Sequence, residues 1–84
     1  MRLIFSPTAT RAMMAMPKKD ATALTRRLEA IAADPFSRQA SVTRMQGDEH
    51  FRVRHGNWRA MYHVDRTTQE VVVDSVGHRR EVYR

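Results

Sequence analysis

Arg52 and Arg54 flank Val53, Arg59 follows five residues later, and a second basic group, His78-Arg79-Arg80, precedes Tyr83. Guanidinium groups grip phosphate oxygens in a forked geometry and stabilise the negative charge that builds up in a transition state. They are poor at taking or giving protons. An imidazole or a phenol must do that, and His78 and Tyr83 are the acid/base candidates beside the cluster. A groove with these groups has the parts needed to break a phosphodiester by attack of the ribose 2'-hydroxyl. No other chemistry is as well supplied. There is no cysteine, hence no Cys/His nucleophile, and no Gly-rich phosphate loop can be drawn. Asp48-Glu49, Asp65 and Asp74 are scattered, and neither a His-x-x-x-His pair nor a carboxylate cluster suggests a metal site. The expectation is a metal-independent site with no cofactor.

The arginines need a hairpin to bring them together. Phe51 to His55 alternates, Gly56-Asn57 tolerates positive φ, and Trp58 to Val64 continues as a longer strand. A two-residue loop sets His55 opposite Trp58, Arg54 opposite Arg59, Val53 opposite Ala60, Arg52 opposite Met61 and Phe51 opposite Tyr62. Phe51, Val53, Ala60 and Tyr62 then make an apolar face, while Arg52, Arg54 and Arg59 project from the other. Like charges directly across a strand pair are destabilising, so the pairing calls for solvent screening or a bound anion. After the polar turn Arg66 to Gln69, a strand from Val71 to Val76 ends at Gly77 and delivers His78, Arg79 and Arg80 to the same end of the sheet. Tyr83 follows four residues after Arg79 and serves either that groove or C-terminal packing. His63 shares the face of Arg59 but lies roughly 13 Å away at strand rise, and reads as a surface or groove-floor residue. His55 belongs to the other face beside Trp58, and His50 has no assigned role.

Upstream, Leu3-Ile4-Phe5 forms a first strand, and Ser6-Pro7 supplies an N-cap followed by proline at the first helical position. Ala9, Ala12, Met13 and Met16 make one apolar stripe before Pro17. Ala21, Leu24, Leu28, Ile31 and Ala32 make a second, which Asp34-Pro35 stops, with Lys18, Lys19, Arg26, Arg27 and Glu29 facing water. The methionines read as core filler. The order β-α-α-β-β-β predicts an α+β domain over residues 1–84, an antiparallel sheet with a helical hairpin packed on one face.

Composition sets the partner class. Fifteen Lys+Arg against nine Asp+Glu give a net charge of +6, and 42% of residues are hydrophobic, an ordinary globular proportion. So basic a small domain suits a polyanion. The excess is spread through the fold: residues 1–40 hold seven basic and three acidic groups, and residues 41–84 hold eight and six. No apolar run approaches the roughly 20 residues of a membrane span, and Met1 to Thr8 lacks the pattern of a signal peptide. The expected compartment is the cytoplasm, with no membrane partner.

The string Gly47, Phe51 to Tyr62, and Val76-Gly77-His78-Arg79-Arg80-Glu81-Val82-Tyr83 resembles the RelE/ParE superfamily of toxins from bacterial type II toxin-antitoxin pairs. The short first strand, the helical hairpin and Asp34-Pro35-Phe36 also fit that layout, so the likeness spans nearly the whole chain. In the RelE branch the resemblance implies a metal-free endoribonuclease, an mRNA interferase that enters the ribosomal A site, cleaves mRNA and inhibits translation. In the ParE branch it implies a DNA gyrase inhibitor. A third reading is an inactive module that binds an antitoxin or nucleic acid. Arg79 and Tyr83 match the arginine and tyrosine of the ribonuclease branch. Arginine replaces lysine at positions 52 and 54, and Arg79 and Tyr83 stand closer together than in well-known RelE toxins. The implied roles are Arg59 on the scissile phosphate, Arg79 on the developing charge, Tyr83 or His78 on protons, and Arg52, Arg54 and Arg80 on RNA. The implied partner is a cognate antitoxin whose helical, acidic or amphipathic segment covers the arginine face or the helical hairpin in a hetero-oligomeric complex.

Overall fold

The computed structural model describes residues 1–37, 42–44 and 50–78. The chain runs β1 (Arg2–Phe5), α1 (Pro7–Ala15), α2 (Lys18–Ala33), β2 (Val42–Arg44), β3 (His50–His55), β4 (Trp58–Asp65) and β5 (Glu70–His78). The strands make one sheet in the order β1-β5-β4-β3-β2. This is the expected α+β architecture with two added features. A short strand, β2, lies on the outer side of β3, and β1 joins β5 in parallel while the other neighbours are antiparallel. A parallel neighbour needs a long crossover, and everything between β1 and β5 supplies it.

Each helix begins and ends where its sequence provides the means. The Ser6 hydroxyl accepts from Ala9 N at 3.0 Å, capping α1 with Pro7 at its first position. The same hydroxyl donates to the Asp74 carbonyl at 2.8 Å, which ties the start of α1 to β5. Pro17 precedes α2, and Asp34 closes it by donating its backbone N–H to Ile31 O. The buried residues of the two helices are Ala9, Leu24, Leu28, Ile31 and Ala32, and Met16, the C-cap of α1, is buried beside them, all on the two predicted stripes. Met14, off the stripe, is 81% exposed.

These side chains meet Val53, Ala60, Tyr62, Val64, Val71, Val73 and Val76 from one face of the sheet. Val73 and Val76 are three residues apart, an odd spacing that strict alternation would send to opposite faces. A bulge resolves this: Met61 pairs with Ser75 and Tyr62 with Val73, leaving Asp74 as the extra residue. Among the described residues, no helix is long and apolar enough to cross a membrane.

Candidate nucleic-acid interface

The β3–β4 hairpin has the register deduced from its two-residue turn: His55 faces Trp58, Arg54 faces Arg59, Val53 faces Ala60, Arg52 faces Met61 and Phe51 faces Tyr62. Gly56 takes the left-handed φ of +58° that the turn requires. The faces separate as alternation demands. Val53, Ala60 and Tyr62 are buried against the helices, Phe51 stacks on Tyr62 at 5.2 Å between ring centroids, and burial pushes the Tyr62 phenol up to about 12. Arg52, Arg54 and Arg59 belong to the open face. Arg52 has Thr43 and Met61 beside it, and Arg54 stands in a row with Arg59 and Gly77.

The three arginines differ in exposure. Arg54 is exposed and Arg52 half-buried, but Arg59 is only 7% exposed. Its Nη1 donates to the carbonyls of Gly56 and Trp58, both at 3.0 Å. The guanidinium thus holds the turn of its own hairpin, a structural duty that the sequence did not disclose. A guanidinium held this way is positioned before any ligand arrives.

His78 is not beside the arginines. The strand runs through Gly77 instead of stopping there, and since Gly77 is the partner of Arg59, the next residue falls on the helix face. There His78 meets Trp58 edge-on at 5.6 Å between centroids, and Trp58 Nε1 donates to Asp20 Oδ2 of α2 at 3.3 Å. His55 lies on this face too, as expected from its pairing with Trp58. Arg79, Arg80 and Tyr83 lie outside the described residues, as does Gly47.

The open face also carries a pair that motif spacing within one strand does not reveal. His63 Nδ1 lies 2.8 Å from Asp74 Oδ2, and the His50 ring stands 5.3 Å from that of His63. Counting back from the Arg66–Gln69 turn would have placed Val72 opposite His63, with Asp74 two residues on and on the same face.

A family model described as the ParE toxin of the type II toxin-antitoxin system parDE matches residues 3–83. No curated protein matches the chain in sequence. Several solved structures share the fold. The toxin-antitoxin complex RelBE from Escherichia coli aligns at a TM-score of 0.79 and 19% identity, covering 92% of this chain and 94% of that one. The isolated E. coli RelE toxin aligns at 0.79 and 23%, covering 98% and 89%. A YoeB/ParE toxin from Agrobacterium tumefaciens aligns at 0.76 and 14%, covering 93% and 98%. The matched family model spans nearly the full sequence and the sheet order, helical pair and arginine hairpin accompany it: the chain belongs to the ParE toxin family of type II toxin-antitoxin systems, within the RelE/ParE superfamily.

Proposed function

We propose that this toxin is a ribosome-dependent mRNA endoribonuclease that cleaves by 2'-hydroxyl attack at the ribosomal A site and thereby inhibits translation in the cytoplasm. The observation that carries the reading is the row Arg54–Arg59 with Arg52 one row away, three guanidinium-bearing positions on the face of the sheet opposite the buried Val53, Ala60 and Tyr62. Arg59, held by the turn, takes the scissile phosphate. Arg52, Arg54 and Arg80 orient RNA, and Arg79 stabilises charge on the phosphate and the leaving oxygen. Tyr83 handles the proton. His78, on the helix face, supports Trp58 and takes no proton in this scheme.

The partner in this reading is a cognate antitoxin, as in the RelB complexes of E. coli and Mycobacterium tuberculosis that share the fold. The helical hairpin and the end of β1 offer it a groove of about 250 Å³ lined by Phe5, Thr10, Met13, Met14, Ala21 and Thr25. An amphipathic helix seated there would add stability to the toxin by mass action.

The family description points to ParE, so a gyrase target is the second reading. Inducing the chain without its antitoxin and mapping mRNA 5' ends on ribosomes separates the two. Cleavage within A-site codons is the expected result. Intact transcripts with arrested replication would overturn it in favour of gyrase, and a folded protein that fails to slow growth would leave only a binding module.

A further inference from the structure

Three side chains that the cleavage scheme does not use converge on the open face of the sheet. His50 opens β3, His63 is its partner on β4, and Asp74 projects from the bulge of β5. One ligating atom from each, an imidazole nitrogen or a carboxylate oxygen, lies within 4.8 Å of those of the other two. We propose that His50, His63 and Asp74 form a binding site for a divalent late first-row transition ion, zinc being the representative.

The donor set argues for this class. Two imidazoles and one carboxylate suit zinc, cobalt or nickel, whereas magnesium and calcium favour all-oxygen shells. Geometry agrees. Ligands at about 2.0–2.2 Å from a tetrahedral zinc stand roughly 3.3–3.6 Å from one another. Closing from 4.8 Å is a matter of side-chain rotation: His50 and His63 are paired across β3 and β4, and the carbonyl of the bulged Asp74 is held by the Ser6 hydroxyl. His63 and Asp74 already meet at 2.8 Å, so the ion has only to part that pair slightly and draw in the exposed His50. The side chains of His63 and Asp74 are 31% and 42% exposed, which gives the ion a route in and leaves room for water in the remaining positions.

The bulge makes the site possible. It inserts Asp74 as an extra residue with no direct partner on β4, so its carboxylate can reach diagonally to His63. His50 shares a face with Arg52, two residues on, so a bound ion would add positive charge about 7 Å along the strand from Arg52. The site is separate from the phosphodiester chemistry, and its existence does not depend on that reading.

The test uses the full chain, stripped with a chelator, titrated calorimetrically with zinc chloride and spectroscopically with cobalt(II). One equivalent should bind, with a cobalt visible spectrum typical of nitrogen and oxygen ligands and a rise in melting temperature. His63→Ala and Asp74→Asn should each weaken binding by about tenfold or more, on the scale by which disturbed ligand shells lose affinity. His55→Ala, on the opposite face, should bind as the unaltered chain does. Absence of stoichiometric binding, or binding unchanged by both His63→Ala and Asp74→Asn, would overturn the proposal. Should either variant fail to fold, His50→Ala alters an exposed side chain and must still weaken binding.

Discussion

Replacing Arg59 with alanine tests whether one side chain holds both the turn and the phosphate. The guanidinium is 7% exposed and its Nη1 is shared between the carbonyls of Gly56 and Trp58, each at 3.0 Å. Hydrogen bonds from a charged donor contribute about 1.5–3 kcal/mol net. Because one nitrogen serves both acceptors, the two contacts together stabilise by about 2 kcal/mol, near the low end for a single strong bond. In a domain of this size that corresponds to a fall in melting temperature of roughly 10 °C. Loss of the phosphate contact should lower the cleavage rate by on the order of a hundredfold or more. Arg59→Lys keeps the charge but not the fork, so it should regain some RNA binding while recovering little of the turn. Thermal melts followed by circular dichroism report the first effect, and cleavage on programmed ribosomes well below the lowered melting temperature reports the second. An unchanged melting temperature would refute the clamp. A folded Arg59→Ala toxin that cleaves at the normal rate would refute the phosphate role and leave Arg59 as a structural residue alone.

Two further perturbations probe the scaffold. Ser6→Ala removes the cap of α1 and the bond to the Asp74 carbonyl together and should cost about 1–2 kcal/mol in urea denaturation, most of it restored by Ser6→Thr. The Tyr62 phenol, raised by burial to about 12 in the folded state against about 10 when unfolded, lends stability that is complete below about pH 10 and is lost as pH rises to about 12. The loss amounts to about 2–3 kcal/mol. Tyr62→Phe should flatten this alkaline limb relative to the unaltered chain in denaturation measured across that range, and an identical slope in both proteins would refute the assignment.

Local signals in the sequence predicted the elements well because each rests on a residue whose conformational effect is short-ranged. Ser6-Pro7 and Pro17 mark the helix starts, and Gly56-Asn57 fixes the hairpin register residue for residue. The missed features depend on non-local partners. The three residues of β2 carry little periodicity and pair only because β3 offers an edge. The parallel union of β1 with β5 joins residues 68 positions apart, and no pattern within Leu3–Phe5 announces it. His78 was misplaced by a single step of alternation: ending the strand at Val76 made the following residues seem free to turn toward Arg59, whereas pairing continues to Trp58 opposite His78. The convergence of His50, His63 and Asp74 was hidden for a similar reason. Motif spacing detects ligands on one element, and these come from three.

The arrangement of charge on the open face follows from the cost of its own register. Arg54 and Arg59 are directly paired, and like charges placed directly across a strand pair are destabilising. The fold lowers that cost by sending the two guanidiniums to different environments. Arg59 turns into the carbonyls of the Gly56–Trp58 turn, where backbone dipoles offset its charge, and Arg54 stays in solvent. What remains of the repulsion would be relieved by an anion spanning the pair. A polyanion bound there should therefore lose affinity as salt rises, which a filter-binding titration of RNA at increasing salt checks. The register also explains why position matters more than total charge: residues 1–40 hold the larger net excess, but pairing sets Arg54 directly beside Arg59, with Arg52 two residues along β3.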